Sequence, residues 1–336
     1  MKIIVDAMGG DNAPFEIVKG SLEAAETLGV DIILTGKVEE ILKCIEKLGY
    51  SDLPKGIEIA NATEVIEMDE EPSMAFRRKK DSSITVGLNM LKNGQGDAMV
   101  SAGSTGALLS GATLVVKRVK GIRRAALAPV IPVKNGSAMI IDCGANTECT
   151  PEYLVQFALM GSSYVKNMLK IPNPRVGLLN NGTEKTKGTE LQIDTYALLE
   201  ELANAGKINF IGNVEGKEVP NGICDVVVCD GYSGNILLKT IEGSIKFLLS
   251  EIKGIFTSNL RTKLAYMLLK KEIGGLRSKL DADKVGGTML LGISKPVIKA
   301  HGSSKSAAIV SAVRQAATAV ESDMVFAAAE DTEASE

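Results

Sequence analysis

Histidine is almost absent from this sequence, and tryptophan is missing altogether. The 336 residues include one His, no Trp and only 4% aromatic side chains. A single histidine excludes His-rich metal sites and allows at most one His-dependent catalytic triad. The scarcity of aromatic side chains argues against stacking platforms for bases or sugars. The chemistry of this chain therefore does not depend mainly on imidazole.

A strong net charge and long apolar runs are missing too. Lys and Arg number 38 against 41 Asp and Glu, which leaves a net charge of −3 and no electrostatic reason to bind nucleic acid. The apolar stretch 125–133 is far shorter than the ~20 residues of a membrane-spanning helix. Asp6 interrupts the first apolar run too early for a signal peptide. Five cysteines without a C-x-x-C pair favour free thiols, so we expect a cytoplasmic protein.

Short β-branched runs alternate with amphipathic segments of helical length. Such runs predict parallel strands buried on both faces, and the alternation predicts an α/β sandwich. The chain has no Pro/Ser-rich linker, so we expect one two-lobed domain over residues 1–329, followed by an acidic, flexible tail at 330–336. The predicted strands are 3–6, 31–36, 98–103, 138–144, 175–180, 208–214 and 225–231.

Residues 240–280 depart from this alternation. Apolar side chains recur there at helical spacing with no strand between them, which predicts a projecting helical hairpin. The segment carries eight basic and three acidic side chains. Such a surface suits an anionic membrane or an acidic protein, and closing a dimer interface is the open alternative. The residues expected at this contact are Lys253, Arg261, Lys263, Leu264, Leu268, Lys270 and Lys271.

Glycine-rich turns follow several predicted strands. Because the carboxyl ends of parallel strands gather at one edge of a sheet, we expect these turns to form one site. The turn 101–108 offers Gly103 and Gly106 for close approach, and Ser104, Thr105 and backbone N–H groups for binding an anion at a helix start. No G-x-G-x-x-G or P-loop pattern is present. A turn that serves only packing is the structural alternative.

Segment 180–192 adds positive charge to this set. Asn181, Gly182 and Thr183 leave a predicted strand, and Lys185 and Lys187 precede the next helix. Two positive charges beside a glycine turn and a helix N-terminus suit an oxyanion or a phosphate dianion. A solvated charged face is the structural alternative for each lysine.

Further turns supply amide, carboxylate and imidazole groups. Asn235 is a candidate donor to a carbonyl or phosphate, while Asp230 either handles a proton or caps a helix. Asp6 and Asp142 suit hydroxyl groups as well as a metal ion, so we assign no metal site. The segment 295–304 brings the lone histidine to a glycine turn. The residues expected there and in the turn after Asp230 are Ser233, Gly234, Lys299, His301, Ser303 and Ser304.

The ordered set of motifs resembles the bacterial acyl-ACP:phosphate acyltransferase family of phospholipid synthesis. The segments that carry the resemblance span residues 3–315 and read VDAMGGDNAP, SAGSTGAL, DCGAN, GLLNNGTEKTKGTELQ, FIGNVEGKE, VVVCDGYSGNILLKT and KPVIKAHGSS. The resemblance implies a Rossmann-like three-layer sandwich akin to isocitrate and isopropylmalate dehydrogenases and phosphotransacetylase. It also implies a homodimer attached peripherally to the inner face of the cell membrane.

The same resemblance implies a reaction: transfer of a long-chain acyl group from acyl carrier protein to inorganic phosphate. A glycerol-3-phosphate acyltransferase would then consume the acyl phosphate, and no cofactor is expected. Phosphate dianion is itself a nucleophile, so the enzyme need not supply a base. We hypothesise that Lys187 and the 103–106 turn hold phosphate and that Asn235 stabilises the oxyanion. Asp230 with His301 would orient the reactants or donate a proton to them.

Two details qualify this hypothesis. The family pattern places two variable positions before a Lys-Gly pair, which makes Lys187 the firmer phosphate ligand and Lys185 the weaker one. Two other functions compete with acyl transfer, since fold alone does not fix chemistry. They are an NAD-dependent hydroxy-acid dehydrogenase on the same fold and a non-catalytic, phosphate-binding membrane scaffold.

Overall fold

Twelve strands and ten α-helices are seen in the part of the chain that the computed structural model describes, which comprises residues 1–67, 69–280 and 287–322. The strands are β1 (Lys2–Asp6), β2 (Asp31–Gly36), β3 (Ile57–Asn61), β4 (Ala98–Ser101), β5 (Ala126–Ala128), β6 (Val130–Val133), β7 (Gly136–Ile141), β8 (Arg175–Asn180), β9 (Asn209–Glu215), β10 (Val226–Val228), β11 (Thr288–Leu291) and β12 (Val297–Lys299). The helices are α1 (Phe15–Leu28), α2 (Val38–Lys47), α3 (Pro72–Arg78), α4 (Ser83–Lys92), α5 (Thr105–Gly111), α6 (Pro151–Met168), α7 (Glu190–Asn204), α8 (Gly231–Thr257), α9 (Leu260–Lys279) and α10 (Ser306–Glu321). The predicted tail at 330–336 lies outside the described residues.

The strands form two sheets. A seven-stranded sheet has the order β3-β2-β1-β4-β12-β11-β5, and a five-stranded sheet has the order β6-β7-β10-β8-β9. Most neighbours are parallel, as the β-branched runs predict. Two strands differ: β11 is antiparallel to both of its neighbours, and β6 is antiparallel to β7. Short connections join β6 to β7 and β11 to β12, which antiparallel pairing permits, whereas β5 and β11 are far apart in sequence.

Helices cover both faces of the sheets. On one face, Val18 of α1, Phe157 of α6 and Ile309 of α10 join a fully buried cluster with strand residues. On the other face, Leu88 of α4 and Leu108 of α5 join a second cluster. The predicted α/β sandwich is therefore confirmed. Each cluster draws on strands of both sheets, which supports the proposal of one two-lobed domain.

The helical hairpin consists of α8 and α9. Helix α8 begins at Gly231 rather than near residue 240, because Asp230, just after β10, caps its N-terminus. Asn259 caps α9, and the rings of Phe256 and Tyr266 lie 5.6 Å apart across the hairpin. Within the described ranges, no helix combines the length and the apolar character that a membrane span requires.

Candidate active site

Three candidate loops leave neighbouring strands of the seven-stranded sheet. Strand β4 lies between β1 and β12, and Ser101 is in register with both Asp6 and Lys299. The three strands are parallel, so their carboxyl ends lie at the same edge. The loops 6–14, 101–106 and 299–304 are therefore adjacent. We call these loops the first loop set.

A buried network supports the glycine turn of this set. The Ser101 hydroxyl donates to Asp6 Oδ2 at 2.6 Å, and the Gly103 N–H donates to Ser101 Oγ at 3.1 Å. Burial raises the pKa of the Asp6 carboxyl, although hydrogen bonds from Ser101 and Ser83 oppose that effect. Gly9 packs so closely that a Cβ there would lie 2.5 Å from both Asp6 Oδ2 and the Gly103 nitrogen. These contacts fix the position of the Gly103 backbone.

The Lys299 side chain lies beneath the same turn. It is only 7% exposed, and its amine donates to the carbonyl of Ala102 at 3.3 Å and to that of Ala300. Burial lowers the pKa of this amine to about 8, although the negative charges of Asp6 and Asp11 favour its protonated form. The Lys299 amine therefore lies next to the backbone of the 103–106 turn.

The remaining groups of the first loop set lie around this turn. Ser104 caps α5, with Oγ accepting the Ala107 N–H at 3.5 Å. His301 is exposed, and its Nδ1 accepts the Ser303 N–H at 3.2 Å. Ser304 is buried, and its hydroxyl has no hydrogen-bond partner within the described structure. The Thr105 and Gly106 positions open α5 and are half-buried.

The other candidate loops leave the five-stranded sheet side by side. Strand β10 lies between β7 and β8, with Val228 in register with Ile141 and Leu178. The parallel strands place the loops 142–146, 181–188 and 229–235 at one edge. These three loops form the second loop set.

Asp142 organises the second loop set. Its carboxylate accepts the N–H groups of Leu127 at 2.8 Å, Ala145 at 3.3 Å and Asn146 at 2.6 Å. Its side chain is thus occupied by protein donors rather than free for a ligand. A Cβ on Gly234 would lie 1.9 Å from the Asp142 carbonyl oxygen, which requires glycine at that position. Among the described residues, no cluster of three or more His, Cys, Asp and Glu could hold a metal ion.

Asp230 and Asn235 occupy the start of α8. Asp230 accepts the backbone N–H and the hydroxyl of Ser233, both at 2.8 Å, so it has the helix-capping role that the sequence left open. Asn235 is half-buried beside Gly144, and within the described structure its carboxamide has no hydrogen-bond partner. The amide of Asn235 is therefore available to a substrate.

The two lysines of the 181–188 loop differ in their surroundings. The Lys185 amine forms an ion pair with Glu200 and lies 5.3 Å from the ring centre of Tyr196. Lys187 is exposed, and in the described structure no carboxylate lies within ion-pairing distance of it. Its stem lies over Gly182, where a Cβ would approach Lys187 Cγ to 3.0 Å. Lys187 remains the better candidate for an anion, while Asn181 and Thr183 lie exposed beside it.

The structure groups the predicted residues into two sets rather than one. No hydrogen bond in the described ranges joins the 101–106 turn to the 181–188 loop, so the meeting of Gly103 with Lys187 stays a prediction. A cavity of about 300 Å³ is lined both by residues of α5 and by Asn146 of the second loop set.

Sequence reasoning missed the charge of that cavity. Arg77, Arg118 and Arg124 line it, and no acidic side chain does. The dense basic run 117–124 is the signal that could have revealed it. Three guanidinium groups around a small cavity can bind an anionic group.

Four cysteines lie near the second loop set, and burial raises the pKa of each thiol. Cys143 and Cys229 are buried, and burial raises the pKa of each thiol well above its ordinary value. Burial also raises the pKa of Cys149 and of Cys224 to about 12. Because the thiolate is the nucleophilic form, covalent catalysis through these cysteines is disfavoured.

Comparisons with known proteins place this geometry in a family. A family model described as "Fatty acid synthesis protein" matches residues 1–326. The phosphate acyltransferase of Thermoanaerobacterium thermosaccharolyticum is 47% identical over 97% of this chain and 95% of its own length. That of Thermoanaerobacter pseudethanolicus is 48% identical over 97% and 95%.

Solved structures show the same fold. A phosphotransacetylase from Streptococcus pyogenes has a TM-score of 0.65 at 20% identity, covering 96% of this chain and 94% of its own. A 4-hydroxythreonine-4-phosphate dehydrogenase from Klebsiella pneumoniae has a TM-score of 0.52 at 14% identity, covering 95% and 99%. These distant likenesses concern the fold alone, whereas the family model and the close relatives span nearly the whole chain. The chain therefore belongs to the phosphate acyltransferase family that its ordered motifs resemble.

Proposed function

We propose that this acyltransferase moves a long-chain acyl group from the thioester of an acyl carrier protein to inorganic phosphate. Acyl phosphate then leaves for glycerophospholipid synthesis. Family membership supports acyl transfer to phosphate and disfavours the NAD-dependent dehydrogenase. The structural observation that carries the proposal is the 103–106 turn with the buried Lys299 amine beneath it. Backbone N–H groups and a nearby positive charge stabilise an oxyanion.

The chemistry needs positioning more than proton transfer. A phosphate oxygen attacks the thioester carbon, a C–O bond forms, and the carbonyl oxygen becomes an oxyanion. The C–S bond then breaks, and the thiol of the carrier arm leaves as a thiolate that takes up a proton. Phosphate at neutral pH is already a nucleophile, and the raised pKa values of the nearby cysteines fit a route without an acyl-enzyme.

Each of the four candidate catalytic residues has a role in this proposal. Lys187 binds the phosphate together with the 103–106 turn, and the Asn235 amide donates to the developing oxyanion. Asp230 is a positioning residue, because it holds Ser233 at the start of α8. Nε2 of His301 donates a proton to the leaving thiolate, since Nδ1 already accepts the Ser303 N–H.

Labelled inorganic phosphate and hexadecanoyl-loaded acyl carrier protein test the proposal. The wild-type protein should form labelled acyl phosphate. Lys187→Ala should lower kcat/KM roughly a hundredfold, because a charge that stabilises the transition state is lost. Lys185→Ala is the matched control and should stay within about threefold, since Glu200 already neutralises that amine. Unchanged turnover in Lys187→Ala would remove this lysine from the mechanism.

The hairpin supports peripheral attachment to the inner face of the cell membrane. Leu264 and Leu268 of α9 are 58% and 85% exposed on one side of the helix. Arg261, Lys263 and Lys270 flank them. Exposed apolar side chains within a basic frame suit an anionic lipid surface. A downstream glycerol-3-phosphate acyltransferase would meet the acyl phosphate at this membrane surface. The proposed homodimer would release it there.

Vesicle flotation tests the attachment. The wild-type protein should float with vesicles that contain anionic phospholipid, and the double variant Leu264→Glu/Leu268→Glu should stay in the bottom fraction of the gradient. Light scattering on both proteins reports the oligomeric state separately. If the double variant floats as well as the wild-type protein, the hairpin is not the membrane contact.

A further inference from the structure

A long apolar cavity lies along the first half of α8. Its volume is about 900 Å³, which is within the range of small-molecule sites. One side is a single stripe of α8 that runs from Ser233 through Leu237, Ile241 and Ile245 to Leu248. The spacing of three and four residues places all of them on one face of the helix. The opposite side comes from β6, the end of β8 and the last turns of α9.

One end of this cavity is the second loop set. Ser233 lines the cavity, and its hydroxyl donates to Asp230 at 2.8 Å. Leu179 and Gly216 line the same end, where β8 and β9 finish. Asn235 is two residues along the helix from Ser233. A group held at the start of α8 therefore has direct access to the cavity.

The length and cross-section of the cavity indicate which kind of ligand it can hold. The stripe from Ser233 to Leu248 covers fifteen residues of helix, or ~22 Å. A volume of 900 Å³ over this length gives a mean cross-section of about 40 Å². The cavity is open to solvent at Leu248, which is 57% exposed, and at Leu276, which is 44% exposed, and its mean cross-section is closer to that of one alkyl chain than to that of an α-helix about 10 Å across. A fully extended hexadecanoyl chain advances about 1.25 Å per carbon and is ~19 Å long, which matches.

We propose that this cavity holds the acyl chain of the donor thioester, and that Ile245 and Leu248 at its far end set the chain-length limit. The inference rests on the proposed acyl transfer to phosphate. The reacting carbonyl lies at Ser233 and Asn235, and the chain extends along α8 toward the hairpin tip. The base of the hairpin is thus a wall of the substrate site, while its tip stays free for another contact.

A tryptophan inside the cavity tests the proposal. Ile245 is twelve residues from Ser233, or ~18 Å along the helix, so only chains longer than about 14 carbons reach it. Ile245→Trp should lower kcat/KM for hexadecanoyl carrier protein at least tenfold, because about two terminal carbons lose their apolar contacts, at ~0.8 kcal/mol each. Octanoyl and dodecanoyl donors should stay within about twofold. Phe247→Trp is the matched control, since Phe247 is 63% exposed and does not line the cavity.

A binding measurement separates failure of this inference from failure of the proposed function. The chain contains no Trp, so Ile245→Trp introduces a single fluorophore. A hexadecanoate brominated near its end should quench Ile245→Trp and leave Phe247→Trp unchanged, whether or not any transfer occurs. Absence of transfer in the wild-type protein with every donor would refute the proposed function alone.

Two results would overturn the acyl-chain site. The first is an equal loss of kcat/KM for all three chain lengths. The second is quenching by brominated phospholipid vesicles but not by the free acid, which would make membrane lipid the occupant. Should Ile245→Trp fail to fold, Leu276→Trp enters the cavity from α9 and gives the same test.

Discussion

Burial of Lys299 gives the stability of this protein a pH dependence of defined sign. Its pKa is about 8 in the folded chain against an ordinary value of 10.5. Below the lower value the amine is charged in both states, so folding bears the full cost of burying the charge. Above the higher value it is neutral in both states and the cost is gone. Stability therefore rises with pH through this window, by about 2 to 3 kcal/mol between pH 7 and pH 10.

The substitution Lys299→Met isolates this effect. Methionine fills similar space and carries no proton, so the free energy of unfolding of the wild-type protein minus that of the variant should rise with pH. Urea unfolding in reductant, followed by circular dichroism, measures it. Buried thiols and the Tyr164 phenol, whose pKa values burial raises, act in the opposite direction, but both proteins share them and they cancel in the difference. Lys43→Met, at an exposed helical position, is the control and should give a flat difference.

A flat difference for Lys299→Met would refute the reasoning. It would mean that the attraction of Asp6 and Asp11 offsets the cost of burial. A difference that falls with pH would mean that the ion pair dominates. Either result would also change the view of the 103–106 turn, since a firmly charged amine below it binds phosphate over a wider pH range.

Other predictions address packing, capping and thiol reactivity. Gly9→Ala should destabilise the protein by about 1–3 kcal/mol in urea unfolding, because its Cβ meets Asp6 and Gly103 at 2.5 Å. Gly243→Ala faces open space in α8 and should stabilise by up to about 1 kcal/mol. Asp230→Ala should cost about 1 kcal/mol and Asp230→Ser much less, as a serine keeps the cap; equal losses would contradict the capping role. Cys149, with a pKa of about 12, should react with iodoacetamide at pH 8 at least about a hundredfold more slowly than a free cysteine.

Two predicted strands match the structure at both ends. The predicted strands 31–36 and 175–180 coincide with β2 (DIILTG) and β8 (RVGLLN), each of which ends at a Gly or Asn that favours a turn. Strands β5 and β11 have three and four residues and antiparallel partners far away in sequence. Their pairing depends on tertiary contacts, so no local sequence pattern predicts these strands.

The site shows the same division between local and distant determinants. Capping by Asp230 is local, and the sequence named it as one of two alternatives. The pairing of Lys185 with Glu200 joins a loop to the next helix, so periodicity could not predict it. The apolar cavity needs α8, β6 and α9 together: α8 contributes one long side, and β6 and α9 contribute only a few side chains each. Its existence could not be read from any one segment.

The continuity of α8 has a mechanical consequence. One uninterrupted helix of 27 residues, about 40 Å long, runs from the cap at Asp230 to Thr257 at the far end of the hairpin. An intact α-helix resists bending, so a displacement at one end is transmitted to the other. The length of α8 therefore fixes the distance between the proposed site at its start and the surface that the hairpin tip contacts.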